Sequence, residues 1–110
     1  MDINVKTVDQ VTVVKIVGDI DGKTASQVQE QVSPLVQPES KILLDMSQVE
    51  YMSSAGLRLL LSTYRQVSSN QASIVLAGVN EEIQDTMSAT GFLRFFTIHD
   101  TVEAGLAALK

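Results

Sequence analysis

The spacing of apolar and polar positions changes several times along the chain, and each change predicts an element. Ile3, Val5 and, after Lys6-Thr7, Val8 form a partly alternating segment, and Asp9-Gln10 forms a two-residue turn. The run 11–17 (VTVVKIV) is β-branched and stops at Gly18, as a strand does. Two strands joined by so short a link must be antiparallel, because a parallel pair needs a long crossover. Helical spacing follows: Ala25, Val28, Val32, Leu35 and Val36 lie three or four apart, with polar residues between them. Asp21 is placed to cap this helix, Thr24 lies in its first turn, and Pro34 ends or kinks its last. Residues 37–40 are loop, and the short apolar run 41–45 (KILLD) has the composition of a strand buried in a parallel sheet.

A second helix begins near Ser53, with Leu57, Leu60, Leu61, Tyr64 and Val67 as its core stripe, and residues 68–71 end it. Residues 72–77 form another buried strand, stopped by Gly78. Residues 81–89 form a helix, acidic in its first turn as the helix dipole favours, with Gly91 beyond its end. Residues 93–98 are expected to be the last strand and 101–109 the last helix. The expected order is β-β-α-β-α-β-α-β-α. It describes an α/β fold with a mixed, mostly parallel sheet, helices packed on it and an antiparallel N-terminal edge hairpin. The 110 residues suit a single domain spanning 1–110.

The chain's chemistry is sparse. It has no cysteine and one histidine, His99, which excludes disulfides, thiol nucleophiles, thiolate metal sites and multi-histidine metal sites. No cofactor or metal is expected. Lys and Arg number 8 against 13 Asp and Glu, a net charge of −5, which argues against nucleic acid or an anionic membrane as partner. The beginning of the chain has no basic segment followed by an apolar run, and no apolar run approaches the ~20 residues that span a bilayer. A cytoplasmic domain is the expectation.

The segment 45–57, DMSQVEYMSSAGL, joins a strand to a helix, and in open α/β sheets binding sites gather at the carboxyl ends of strands. One of the two serines suffices as a helix cap. Gly56 costs the helix roughly 1 kcal/mol relative to Ala, so a close approach by a partner or a neighbouring chain is expected there. Tyr51 and Met52 are expected in the core, as are Phe92, Phe95 and Phe96; His99 is expected in a turn or cap.

The stretch LLDMSQVEYMSSAGLRLLLSTYRQ resembles the signature of STAS domains, and in particular of the bacterial anti-sigma-factor antagonists. Asp45, Tyr51-Met52, Ser54, Gly56 and Leu57 match that pattern. Gly18-Asp19-Ile20-Asp21 followed by Thr24-Ala25 resembles a second family stretch. The resemblance implies a non-enzymatic switch. The unmodified antagonist would bind an anti-sigma factor that is also a serine protein kinase and so release that factor's target. Phosphorylation of Ser54 would end the binding, and a PP2C-type phosphatase would reverse it. Ser53 stands where the family usually has Asp, and is the second candidate for modification. Ala55 stands where the family has Ser or Thr.

Helical geometry, at ~100° per residue, places Ser54 beside an arc of core residues, with Arg58, Ser62 and Arg65 on its other side. Arg58, four residues on, either pairs with a phosphate or is simply solvated. Asp19, Asp21 and Asp45 are expected near one end of the sheet, as an acidic patch for a basic kinase face or as caps and turn residues. Leu59 lies off the core stripe and is expected either to face the partner or to pack under a loop. The expected partner surface is therefore Asp19, Asp21, Ser53, Ser54, Ala55, Gly56, Arg58, Leu59 and Ser62, on a monomer or weak dimer. An accessory STAS subunit of a lipid-transport ABC system, with no phosphorylation cycle, is the alternative. A hydrolase built on Ser54 would lack a G-x-S-x-G elbow and have only His99 as base. A receiver domain would need paired acids and a late Lys that the chain does not supply.

Overall fold

The computed structural model describes residues 1–109. Strand β1 (Asp2–Val8) and strand β2 (Val11–Val17) form an antiparallel hairpin. Its two loop residues, Asp9 and Gln10, both have positive φ, 49° and 70°. That is the backbone twist that lets a two-residue turn match the twist of its strands. Helix α1 (Ala25–Val32), strand β3 (Lys41–Gln48), helix α2 (Ser54–Ser69), strand β4 (Ser73–Ala77), helix α3 (Glu81–Ala89), strand β5 (Ile98–His99) and helix α4 (Val102–Leu109) follow. The sheet order is β1-β2-β3-β4-β5, with every pairing after the first hairpin parallel.

Alternation along the strands divides the core between two faces. On one face Val14, Ile16, Ile42, Leu44, Met46 and Leu76 pack against Val28 and Val32 of α1, Leu57, Leu60 and Val67 of α2, and Ile83 and Met87 of α3. On the other, Val11, Val13, Leu43, Val75 and Ala77 are covered by Leu109, with Val102 and Leu106 beside it on α4. Gly105 lets α4 lie close to the sheet: a Cβ there would stand 2.7 Å from Cδ1 of Leu43.

Most of the expected elements are present, with two shifts, and Pro34 ends the first helix as expected. Helix α1 starts one turn after Asp21, at Ala25. Pro34 sits at the start of a 3-10 turn, Ser33–Leu35, that closes the helix. The expected strand 93–98 is instead a 3-10 turn, Leu93–Phe95, followed by the two-residue β5. Phe92, Phe95 and Phe96 stand three and four apart, a helical spacing, and the rings of Phe95 and Phe96 pack on Tyr64 at 5.3 and 5.7 Å between centroids. Phe96 is buried, while Phe92 and Phe95 are only half-buried. His99 is not a turn residue; it lies in β5, with its Nε2 buried and without a hydrogen-bond partner.

Candidate functional site

Three loops meet at the carboxyl ends of β2, β3 and β4, and backbone hydrogen bonds staple the first two together. The N–H of Gly18 donates to the carbonyl of Gln48 (3.1 Å), that of Ile20 to Tyr51 (3.0 Å), and that of Ser53 back to Ile20 (2.9 Å). Ile20 and Met52 pair as an isolated parallel bridge and are both buried. The third loop is tied in by Asn80, whose Nδ2 donates to the carbonyls of Val49 (3.4 Å) and Glu50 (3.1 Å). Its Oδ1 accepts from the N–H of Ile83 (2.8 Å) and caps α3.

Helix α2 rises from this platform. Ser53 is half-buried, and its Oγ accepts from the N–H of Ala55 (3.2 Å), so it is the cap. Ser54, the first helical residue, is exposed, and its hydroxyl makes no hydrogen bond among the described residues. The first turn of α2 carries no acidic side chain, so the positive end of its dipole is not offset there by a carboxylate of its own turn. Arg58 and Ser62 lie on the same helix, both exposed, while Ala55, between Ser54 and the buried Gly56, is half-buried.

Asp19 and Asp21 lie in the loop stapled beneath Ser53, and the two carboxylates differ in occupation. Asp21 and Thr24 form a reciprocal cap: Oδ1 of Asp21 accepts from the N–H groups of Lys23 (2.8 Å) and Thr24 (3.1 Å), while Oγ1 of Thr24 accepts from the N–H of Asp21 (2.9 Å). The backbone N–H of Lys23, then that of Thr24, hold the Asp21 carboxyl below its ordinary value. Oγ1 of Thr24 also donates to the carbonyl of Asp19 (2.7 Å), fixing that residue's backbone. The carboxylate of Asp19 is exposed and makes no side-chain hydrogen bond among the described residues.

Several expected site residues are corrected. Leu59 does not face a partner: it is 4% exposed and belongs to the core. The close approach at Gly56 is internal, because a Cβ there would overlap the Met52 side chain and stand 3.1 Å from the carbonyl oxygen of Ile20. Gly56 is therefore a packing residue beneath the surface. Asp45 is not gathered with Asp19 and Asp21. It lies within β3, on the face that α4 covers, is 8% exposed, and accepts from the N–H (3.1 Å) and hydroxyl (2.7 Å) of Ser47. Tyr51, expected in the core, is 53% exposed beside the stapled loop. Nothing in the local period announces it, because the loop runs outward at Glu50 and Tyr51 and inward at Val49 and Met52. Asn80 is a residue the sequence reading missed: its place before two glutamates signals a cap, but nothing local signals a staple to a loop 30 residues away.

Other chemistry is not assembled here. Among the described residues no three His, Cys, Asp or Glu side chains form a metal-binding cluster. His99 pairs with Ala77, whose side chain lies on the α4 face, so its ring is directed away from the sheet face that carries α2. A cavity of about 480 Å³ lies farther along α2, lined by Tyr64, Arg65, Phe92, Arg94 and Phe95 among others. No helix among the described residues is long and apolar enough to cross a membrane.

A mixed five-stranded sheet, a stapled loop platform and a helix entered through Ser53-Ser54 define the class of α/β domain. The chain belongs to the STAS domain family, whose model matches residues 2–105. Its relatives include the candidate anti-sigma factor antagonist BtrV of Bordetella bronchiseptica, 27% identical over 111 residues that cover 100% of this chain and 96% of that one. The anti-sigma-B factor antagonist of Staphylococcus aureus is 26% identical over 106 residues, covering 94% and 98%. Among solved structures, an anti-sigma factor antagonist from Mycobacterium paratuberculosis superposes with a TM-score of 0.85 at 25% identity, covering 98% of this chain and 92% of that one.

Proposed function

We propose that this protein is an anti-sigma-factor antagonist of a partner-switching pathway. In its unmodified form it binds an anti-sigma factor with serine kinase activity and so frees that factor's target. Phosphorylation on Ser54 ends the binding, and a PP2C-type phosphatase restores it. The observation that carries this reading is the division of labour between the two serines: Ser53 is spent on the helix cap, while Ser54 offers an exposed, unengaged hydroxyl. The names of the curated relatives support an antagonist over an accessory transporter subunit.

The physics of such a switch follows from position. A phosphate adds about −1.5 to −2 charge at neutral pH. At the N-terminus of α2 the helix dipole tolerates that charge, so the fold survives the modification. A partner docked over Ser54 does not tolerate it, because it must desolvate the phosphate against a surface that already carries the exposed Asp19. Asp19, Ser54, Arg58 and Ser62 are the exposed charged and polar groups of the proposed docking surface, with Asp21 and Ser53 half-buried within it. The test is binding to the kinase. The wild-type protein and Ser54→Ala should bind alike, and Ser54→Ala should resist release by ATP. Ser54→Asp should bind about tenfold or more weakly. Equal affinity of all three would contradict the switch.

A further inference from the structure

The outer edge of the sheet carries a pattern that the switch does not use. Strand β1 has a sheet neighbour on one side only, and Val5 at its centre is 44% exposed. In a hairpin closed by a two-residue turn, the Val8–Val11 pair exchanges hydrogen bonds, and pairing alternates from there. Asp2, Asn4, Lys6 and Val8 therefore direct their N–H and C=O groups at β2, and Ile3, Val5 and Thr7 direct theirs outward. Such an edge is a template for another strand.

We propose that β1 pairs antiparallel with β1 of a second copy of this chain, about a two-fold axis at Asn4. In that register Ile3 of each copy meets Val5 of the other, so the outward hydrogen-bonding groups and an apolar pair coincide. Asp2 of each copy stands opposite Lys6 of the other, giving two cross-strand ion pairs. The sequence DINVK is thus charge-complementary to itself when reversed. Neighbouring registers lose this: centring on Lys6 sets lysine against lysine, centring on Asp2 sets aspartate against aspartate, and centring on Val5 leaves Asp2 opposite Val8. The axis joins the two five-stranded sheets edge to edge. Because β2 and β3 run in opposite directions in the two copies, the two Ser54 surfaces lie at opposite ends and both stay open. The pairing therefore stands or falls separately from the phosphorylation reading.

Sedimentation over a concentration series tests it. The wild-type protein should show a reversible dimer. Lys6→Asp, which sets carboxylate against carboxylate at both ends of the pairing, should weaken the dimer about tenfold or more. The charge-swapped Asp2→Lys/Lys6→Asp double variant should restore it. The chain has no cysteine, so single cysteines report the register cleanly. Asn4→Cys, facing its own copy across the axis within disulfide reach, should oxidise to a cross-linked dimer, and Thr7→Cys should not. A monomer at every concentration would overturn the proposal. So would a dimer indifferent to Lys6→Asp, or equal cross-linking of the two cysteine variants.

Discussion

Two adjacent serines at one helix start carry different duties, and the difference is a matter of a single rotation of the chain. Ser53 still has extended backbone, ψ 179°, which turns its hydroxyl onto the N–H of Ala55; Ser54 is already helical and points out. Replacing the cap should therefore cost stability. Ser53→Ala is expected to lower the free energy of unfolding by about 1 kcal/mol in urea denaturation, while Ser54→Ala should change it by less than about 0.5 kcal/mol. Leu59 makes the complementary point. Its buried side chain means that Leu59→Ala should cost about 2–4 kcal/mol of stability, measured the same way, rather than act only on a partner.

At the scale of elements, the loop before α1 is held by a carboxylate that must be ionised. The folded Asp21 carboxyl lies below its ordinary value of 3.8, because ionised Oδ1 accepts two backbone N–H groups. Its contribution is therefore fully present above 3.8 and is lost as pH falls through the folded value. Asp21→Asn keeps a capping oxygen but cannot titrate, so the gap in urea midpoint between wild type and Asp21→Asn should narrow or vanish at acid pH. Elements of this kind were largely legible in the sequence, because hydrophobic period and capping residues act locally. The hairpin, the buried β3 and β4, and α2 with its start near Ser53 all follow from spacing. The stretch from Phe92 to His99 did not read correctly. Its density of apolar residues resembles a strand, and only packing of the rings on Tyr64 decides for a 3-10 turn. Leu59, Gly56 and Tyr51 were misassigned for a related reason: each one's exposure is set by an element remote in sequence or by the path of an irregular loop.

At the scale of the molecule, the proposed docking surface depends on three loops being one rigid platform. Asn80 is its outermost staple. Asn80→Ala removes a helix cap and two loop hydrogen bonds and should cost about 1–2 kcal/mol. Asn80→Asp keeps the cap but sets a carboxylate against two carbonyls, so its remaining loss, in the same denaturation assay, isolates the staple. The chain's small catalytic inventory is consistent with this arrangement, since a protein that receives a phosphate leaves the chemistry to its kinase. Ser54→Ala, which under the proposal binds without being released, is the bait that should capture that kinase from the source cells. The measurement that tests the account most directly is then mass-spectrometric mapping of the wild-type protein after incubation with the captured kinase and ATP. The account predicts one phosphate, on Ser54. Phosphate on Ser53 alone, or on neither serine, would contradict it.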